Sequence, residues 1–343
     1  MEENSSMSEQ MVEGLKKFHF SNITDDETEK LERLYSGFMI YLFSIYVIAI
    51  APTILGNTLI LASLVRFQRL RSRINILIGN LAVSDLLLGL VVIPFDIAFL
   101  HVKSLQEEKI PCLVRQSLNV ILLDASILNL FCISLERYIA IVHPFKHAKL
   151  CKKRKLFILL SICWIVSIIV GAIPLMGWNA WEPGIFCDTE LVWREKYRGI
   201  QYLAICSCLI VNFIMYVKVM RTACRRLKQS RKISGTSNND SQRHISISKK
   251  DVRKTKIMVL ILGIFAICWG PYCTVIIIET FFVDANITLI IVKKFFGCLG
   301  MLNSALNWIV YGIKNKNFRQ AFKHILSFGV CTRKEGCDIS NTK

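Results

Sequence analysis

At 343 residues the chain is long enough for two soluble domains, but 53% hydrophobic residues and a mean hydropathy of +0.45 place it among membrane proteins. The net charge of +18 needs no nucleic acid to explain it, because the lysines and arginines gather between apolar stretches, as membrane topology and anionic lipid require. Thirteen cysteines without paired C-x-x-C clusters exclude a zinc framework; most sit in apolar stretches, where cysteine acts as a small apolar residue.

Residues 1–34 read as an acidic outer arm. Its start, Met1-Glu2-Glu3-Asn4, lacks the basic and apolar regions of a signal peptide. Asn4 and Asn22 stand in Asn-x-Ser/Thr sequons and are expected to be glycosylated. Seven stretches then have the apolar length to cross a bilayer: roughly 35–65, 73–100, 110–136, 155–178, 198–220, 255–282 and 286–312. Arg66 to Arg73, Lys146 to Lys155, residues 218–256 and the tail from Lys314 carry the basic residues, so these sides are cytoplasmic and the N-terminus is outside. Span two carries Asp85 near mid-membrane, where a carboxylate argues for an internal polar site.

Residues 109–155 organise the chain. From Leu118 to Leu135 the one formal charge is Asp124, and the stretch ends at Glu136-Arg137-Tyr138, an acid–arginine pair too costly to bury without a partner to exchange with. Cys112 and Arg137 lie 25 residues apart, about 37 Å along a helix, which suits opposite faces of a membrane. Residues 221–251 read as a basic, flexible inner loop. Span six holds Cys268-Trp269-Gly270-Pro271, whose proline should kink it. Span seven ends Asn307-Trp308-Ile309-Val310-Tyr311, and residues 315–326 form an amphipathic helix for the inner membrane surface, with Phe318, Phe322 and Ile325 on its apolar face. Residues 327–343 are a cytoplasmic tail, with Cys331 and Cys337 as palmitoylation positions.

Asn57, Leu81-Ala82-Val83-Ser84-Asp85, Cys112, Glu136-Arg137-Tyr138, Trp164, Cys268-Trp269-x-Pro271 and Asn307-x-x-x-Tyr311 supply one motif per span, apart from span five. Together they resemble the rhodopsin-like (class A) G-protein-coupled receptors over nearly the whole chain. The resemblance implies an all-α membrane protein: a seven-transmembrane helix bundle over 35–313 with a short amphipathic helix after span seven. It also implies a plasma-membrane receptor that is not an enzyme, takes an extracellular small-molecule ligand, and activates heterotrimeric G proteins by outward movement of span six. Arrestin, receptor kinases and membrane lipids are further implied partners, and nucleic acid is not one. A ligand-scavenging or arrestin-only receptor is the alternative. A transporter is disfavoured by the lack of paired repeats, and an enzyme by the lack of a catalytic box.

The resemblance assigns particular residues. Cys112 pairs with Cys187 in a disulfide. Asp85, Ser126, Asn303, Ser304 and Asn307 fall where the family builds an allosteric sodium site, and oxygen ligands suit that cation. Arg137 and Asp251 take the positions of an ionic lock, while Glu136, Tyr138, Tyr216, Tyr311 and Phe145 complete the G-protein switch. Ligand contacts fall on Asp96, Gln116, Asn119, Val120, Leu123, Asp124, Gln201, Trp269, Tyr272, Ile276 and Met301.

Departures from the pattern are as informative. Trp308 replaces the proline after Asn307, and Cys208 replaces the proline of span five. Amine receptors place a carboxylate where Asn119 stands, and visual pigments place a lysine at Met301. Gly177-Trp178-Asn179 resembles the adenosine-receptor lineage, yet Ile276 and Met301 replace its binding residues. The ligand group therefore stays unassigned. Asp96 and Asp124 either receive a cationic ligand group or are held by internal partners such as Arg115 or Lys293.

Overall fold

The computed structural model describes residues 25–185, 187–233, 257, 260, 261, 263–279 and 287–327. Asn4, Asn22, Asp251, Cys331 and Cys337 lie outside the described residues.

Span one is the helix Asp25–Arg66. It is helical well before residue 35, so the helix extends beyond the apolar stretch. Span two runs Arg73–Leu87, passes through a π-type turn Leu88–Val92, and continues as Ile93–His101. The turn lies immediately ahead of Pro94, whose ring clashes with the preceding turn of a regular helix and removes one donor. Span three is Lys109–Val142 and span four Lys153–Ala172. Span four ends earlier than residue 178: the chain leaves the regular helix after Ala172 through a run of turns, and Gly177 then turns it at φ +105°.

Span five runs Glu195–Ile233 and so continues as helix through residues 221–233, which the sequence reading gave to a loop. Arg, Leu, Lys and Gln at those positions are all good helix formers, so polarity there marks exit from the bilayer without ending the helix. Span six is described over Gly263–Glu279, and span seven over Ile287–Lys314. Asn315 then caps a surface helix, Lys316–Leu326, its side chain accepting from Asn317 N at 3.1 Å. Phe318 and Phe322 are buried, and Phe318 packs its ring 5.6 Å from that of Tyr311.

Six of these helices are long and apolar enough to cross a membrane, and Gly263–Glu279 is a shorter apolar helix. The molecule is an all-α bundle of seven helices and a multi-pass membrane protein. Ile158, Ile162, Ile165 and Ile169 of span four are all more than half exposed. Such a stripe is a liability in water and the expected surface against lipid.

Span three packs on spans two, four and five, and span one on two and seven. The packing uses polar links: Asn80 donates to Asn129 Oδ1 at 2.6 Å, and Trp164 Nε1 donates to Asn80 Oδ1 at 3.2 Å, tying spans two, three and four. Span seven lies close against span one because Gly56 leaves room for the Trp308 indole; a Cβ there would collide with the ring.

Candidate functional site

The described residues carry three polar layers stacked along the bundle, each built by a few side chains on facing helices.

The outer layer is a cavity of about 260 Å³. Its lid is set by a covalent link: Cys112 at the top of span three is bonded to Cys187, with Cα atoms 5.7 Å apart. That bond draws the next two residues of the second outer loop into the cavity wall. Thr189 Oγ1 donates to Gln116 Oε1 at 3.0 Å, and Asp188 pairs with Lys294 of span seven. Gln116, Asn119, Val120, Leu123, Trp269, Tyr272 and Met301 all line the cavity. Trp269 forms part of its inner wall, with Tyr272 edge-on at 5.7 Å and Phe265 at 6.2 Å. A Cβ at Gly300 would come within 2.6 Å of the Trp269 ring, so glycine is what lets span seven approach it.

Asp96, Asp124, Gln201 and Ile276 do not line the cavity. Asp96 is wholly buried and accepts from Arg115 Nε at 2.7 Å, and more weakly from Asn119 Nδ2 at 3.5 Å. Asp124 accepts from Gln201 Nε2 at 2.8 Å. Both carboxylates are thus held from within the protein, and Lys293 is held by Glu279 of span six at 2.6 Å. The sequence reading left Asp188, Thr189, Lys294 and Tyr46 out of the wall, yet all four belong to it. The position of Asp188 and Thr189 just after a disulfide cysteine was the usable signal; nothing local marks Tyr46.

The middle layer surrounds Asp85, which has no exposed surface. Ser304 Oγ donates to its Oδ1 at 2.6 Å and Asn307 Nδ2 to its Oδ2 at 2.9 Å. Ser126 Oγ lies 3.1 Å from Ser84 Oγ. The amide oxygens of Asn303 and Asn307 are buried without a hydrogen-bond partner among the described residues. Asn57 of span one donates to Ser304 O at 3.2 Å, closing the layer across spans one, two and seven.

The inner layer is at the C-terminal end of span three. Arg137 Nε donates to Glu136 Oε2 at 2.5 Å, and Glu136 Oε1 is 2.9 Å from His147 Nε2 of the following helix, Pro144–Leu150. His147 was not foreseen; a histidine eleven residues beyond the acid has no helical register with it, and the chain reversal at His143-Pro144 brings it back. Tyr311 is buried, Tyr216 half-buried, and Phe145 almost wholly exposed at 98%. Tyr138 packs beside Ile141, Val219 and Ala223. The pairing of Arg137 with Asp251 falls outside the described residues.

Residues 56–311 match the family model described as "7 transmembrane receptor (rhodopsin family)". The chain is 31% identical to the histamine H2 receptor of Cavia porcellus, over 82% of this chain and 78% of that protein. It is 27% identical to sphingosine 1-phosphate receptor 1 of Danio rerio, over 85% and 80%. It is 28% identical to the D(1A) dopamine receptor of Xenopus laevis, over 89% and 76%. The match runs from the end of span one to Tyr311 in span seven, so the chain belongs to the rhodopsin family of seven-transmembrane receptors, a family of receptors and not of enzymes.

Proposed function

We propose that this receptor resides in the plasma membrane with its N-terminus outside, takes an extracellular small ligand in the outer cavity, and activates a heterotrimeric G protein when span six swings outward about Pro271. The observation that carries this reading is the held arginine. Arg137 is nine-tenths buried and bonded to Glu136 at 2.5 Å, a charge-assisted contact at the inner end of the helix whose outer half lines the cavity. Release of that arginine would open a groove rimmed by Arg137, Tyr216, Tyr311 and Phe145, suited to a helix inserted from the G protein. Phe145, at 98% exposure, is not covered by any of the described residues.

Nucleotide exchange on purified α-subunits of every class is the test. Basal or ligand-driven exchange should appear with at least one class, and Phe145→Ala should weaken exchange several-fold while leaving ligand affinity unchanged. Silence with all classes, together with arrestin recruitment or ligand uptake, would favour the scavenging or arrestin-only reading. The unbroken helix Ile287–Lys314, with Trp308 where the family has proline, is the feature that speaks for that alternative.

The middle layer fits an allosteric sodium ion. The buried, partnerless oxygens of Asn303 and Asn307, the Asp85 carboxylate, and the hydroxyls of Ser126 and Ser304 form an all-oxygen donor set appropriate to a hard cation. A bound cation would supply the positive charge that an ionised, fully buried Asp85 lacks. Ser304 and Asn307 meanwhile hold the carboxylate in place and link spans two and seven. At constant ionic strength, exchanging sodium for an organic cation should raise basal nucleotide exchange in the native protein and leave Asp85→Asn unmoved. Equal sodium sensitivity in the two proteins would remove the site. Glycans on Asn4 and Asn22, and palmitate on Cys331 or Cys337, complete the proposal for the chain's surface.

The ligands in the relatives' names do not agree with one another. Histamine and dopamine name amines, and sphingosine 1-phosphate names a phosphate. The choice for this chain therefore falls to its own cavity.

A further inference from the structure

Among the described residues, four charged side chains line the cavity: Arg115, Asp188, Lys293 and Lys294. Three are cations and one is an anion. The carboxylates that balance two of the cations are not in the wall, since Asp96 is wholly buried and Glu279 of span six meets Lys293 outside the lining. Among the described residues Asp188 is the one carboxylate in the wall, and Lys294 is already paired with it. A cationic ligand head would thus enter among three like charges. An anionic head would meet them as counter-charges.

Arg115 is the best-prepared of the three. Its Nε donates to Asp96 at 2.7 Å, and its guanidinium carbon lies 4.5 Å from the ring centroid of Phe99, so it is held at two points. Guanidinium carries five N–H donors, and Nε uses one. The two terminal amino groups donate to nothing among the described residues, while the side chain keeps 20% of its surface exposed in the cavity wall. A fixed guanidinium with its fork unused matches the two oxygens of a carboxylate or phosphate in geometry as well as charge. Gln116, the next residue, accepts from Thr189 through Oε1, which leaves its amide nitrogen as a further donor. Beyond this rim the wall carries Leu88, Val120, Leu123, Phe265, Trp269 and Met301, and only its deepest part, at Ser126, Asn303 and Ser304, is polar again.

We propose that the cavity binds an amphiphile with one oxyanion head, a carboxylate or a phosphate monoester, on an apolar body. The head sits on Arg115 and Lys294, taking the place of Asp188 at the lysine, and the body extends toward Trp269. This rests on reading the cavity as the receptor's ligand site, and names the class of ligand that site takes. Asp188 then acts as an internal competitor for the headgroup position. The two possible ligand charges consequently predict opposite effects of neutralising it.

The full-length receptor in discs of neutral lipid, with empty discs as reference, is titrated with four probes that share a tail: decyl phosphate, decanoate, decanol and decylamine. Binding is read from tryptophan fluorescence and from the melting temperature, neither of which needs a G protein. Decyl phosphate or decanoate, or both, should bind about tenfold or more tighter than decanol and decylamine. Whichever of the two acids binds tighter names the head. Arg115→Gln alone strands Asp96 as a buried, unpaired carboxylate, so the paired variant Arg115→Gln with Asp96→Asn is used; it should weaken oxyanion binding about 10- to 100-fold. Arg115→Lys should recover part of that loss, and Asp188→Asn should tighten oxyanion binding several-fold.

Decylamine binding as tightly as the acids, no binding by any of the four, or undiminished oxyanion binding in a folded Arg115→Gln/Asp96→Asn protein would each overturn the inference. Nucleotide exchange measured in parallel separates it from the receptor reading. Exchange driven by decylamine or decanol would leave the receptor reading intact and end the oxyanion one. Oxyanion binding without exchange on any α-subunit would do the reverse.

Discussion

At the scale of single residues, what a side chain can do here depends on which neighbour reaches it. Glu136 would repel a thiolate placed beside it, and Cys151 sits nearby in the second inner loop, buried to 8% exposure. Burial first, and then the charge of Glu136, raise the Cys151 thiol above the ordinary cysteine range, outweighing the opposing pull of Arg73 and Arg137. A raised thiol pKa means less thiolate at any given pH, and the thiolate is the species that reacts. With maleimide on the native receptor at neutral pH, exposed Cys224 should be labelled and Cys151 spared, as peptide mapping would report. Labelling of both at equal rate would contradict the burial. Arg115 shows the same dependence on neighbours: in sequence it is one cation among many, and its pairing with buried Asp96 is what leaves its fork available.

At the scale of elements, the two places where the chain departs from its family's pattern have different consequences. Cys208 stands in a helix that runs without a break from Glu195 to Ile233. Trp308, by contrast, changes a helix–helix contact, because its indole occupies the space over Gly56 of span one. Any side chain at position 56 must displace a rigid ring and not a flexible chain end. Gly56→Val should therefore destabilise the receptor by about 1–3 kcal/mol or more, the usual cost of overpacking a tight contact. Combining it with Trp308→Ala should return most of that loss, because the second change removes the obstacle. Melting temperatures of the two single variants and the double variant in detergent would test this; a double variant whose loss equals the sum of the two single losses would show that the ring and the glycine do not share the space. The surface helix Lys316–Leu326 is tied to the same element, since Phe318 and Phe322 pack on Tyr311 and Gly312 at the end of span seven.

At the scale of the whole molecule, the three layers lie on a common path through spans three and seven. The upper end of that path is held by the Cys112–Cys187 bond, which closes a loop across 75 residues. A crosslink of that length contributes on the order of 4 kcal/mol in the chain-entropy account, a magnitude that depends on the model of the unfolded state. It also sets Asp188 and Thr189 in the cavity wall. Cys112→Ala should lower surface expression and abolish the contribution of Asp188 to ligand binding, so that Asp188→Asn has no further effect in that background. Measurement of surface receptor by antibody binding alongside probe affinity would separate the folding loss from the loss of the loop's position. An Asp188→Asn effect of full size without the disulfide would show that the loop needs no such anchor.

The chain's class was legible in its sequence because membrane insertion depends on local quantities. Apolar length, lysine and arginine placement, and a motif in every span but the fifth can each be read along the chain, and they led to the seven-helix bundle and to its family. Seven of the eleven expected ligand contacts line the cavity for the same reason: helical register places Gln116, Asn119, Val120 and Leu123 on one face of span three. Charge pairing was not legible. Asp96, which sequence left between a ligand and an internal partner, is held by Arg115, while Lys293, the other candidate partner, is held by Glu279. Those choices join residues on different elements, and distance between elements is set by packing, as at Gly56 and Gly300, where a missing side chain lets two helices meet. Composition determined that this protein spans the membrane with a polar interior. Which of its buried charges face the cavity, and which are already satisfied, was decided by tertiary structure, because a charge buried away from water must find its partner wherever the fold brings one within reach.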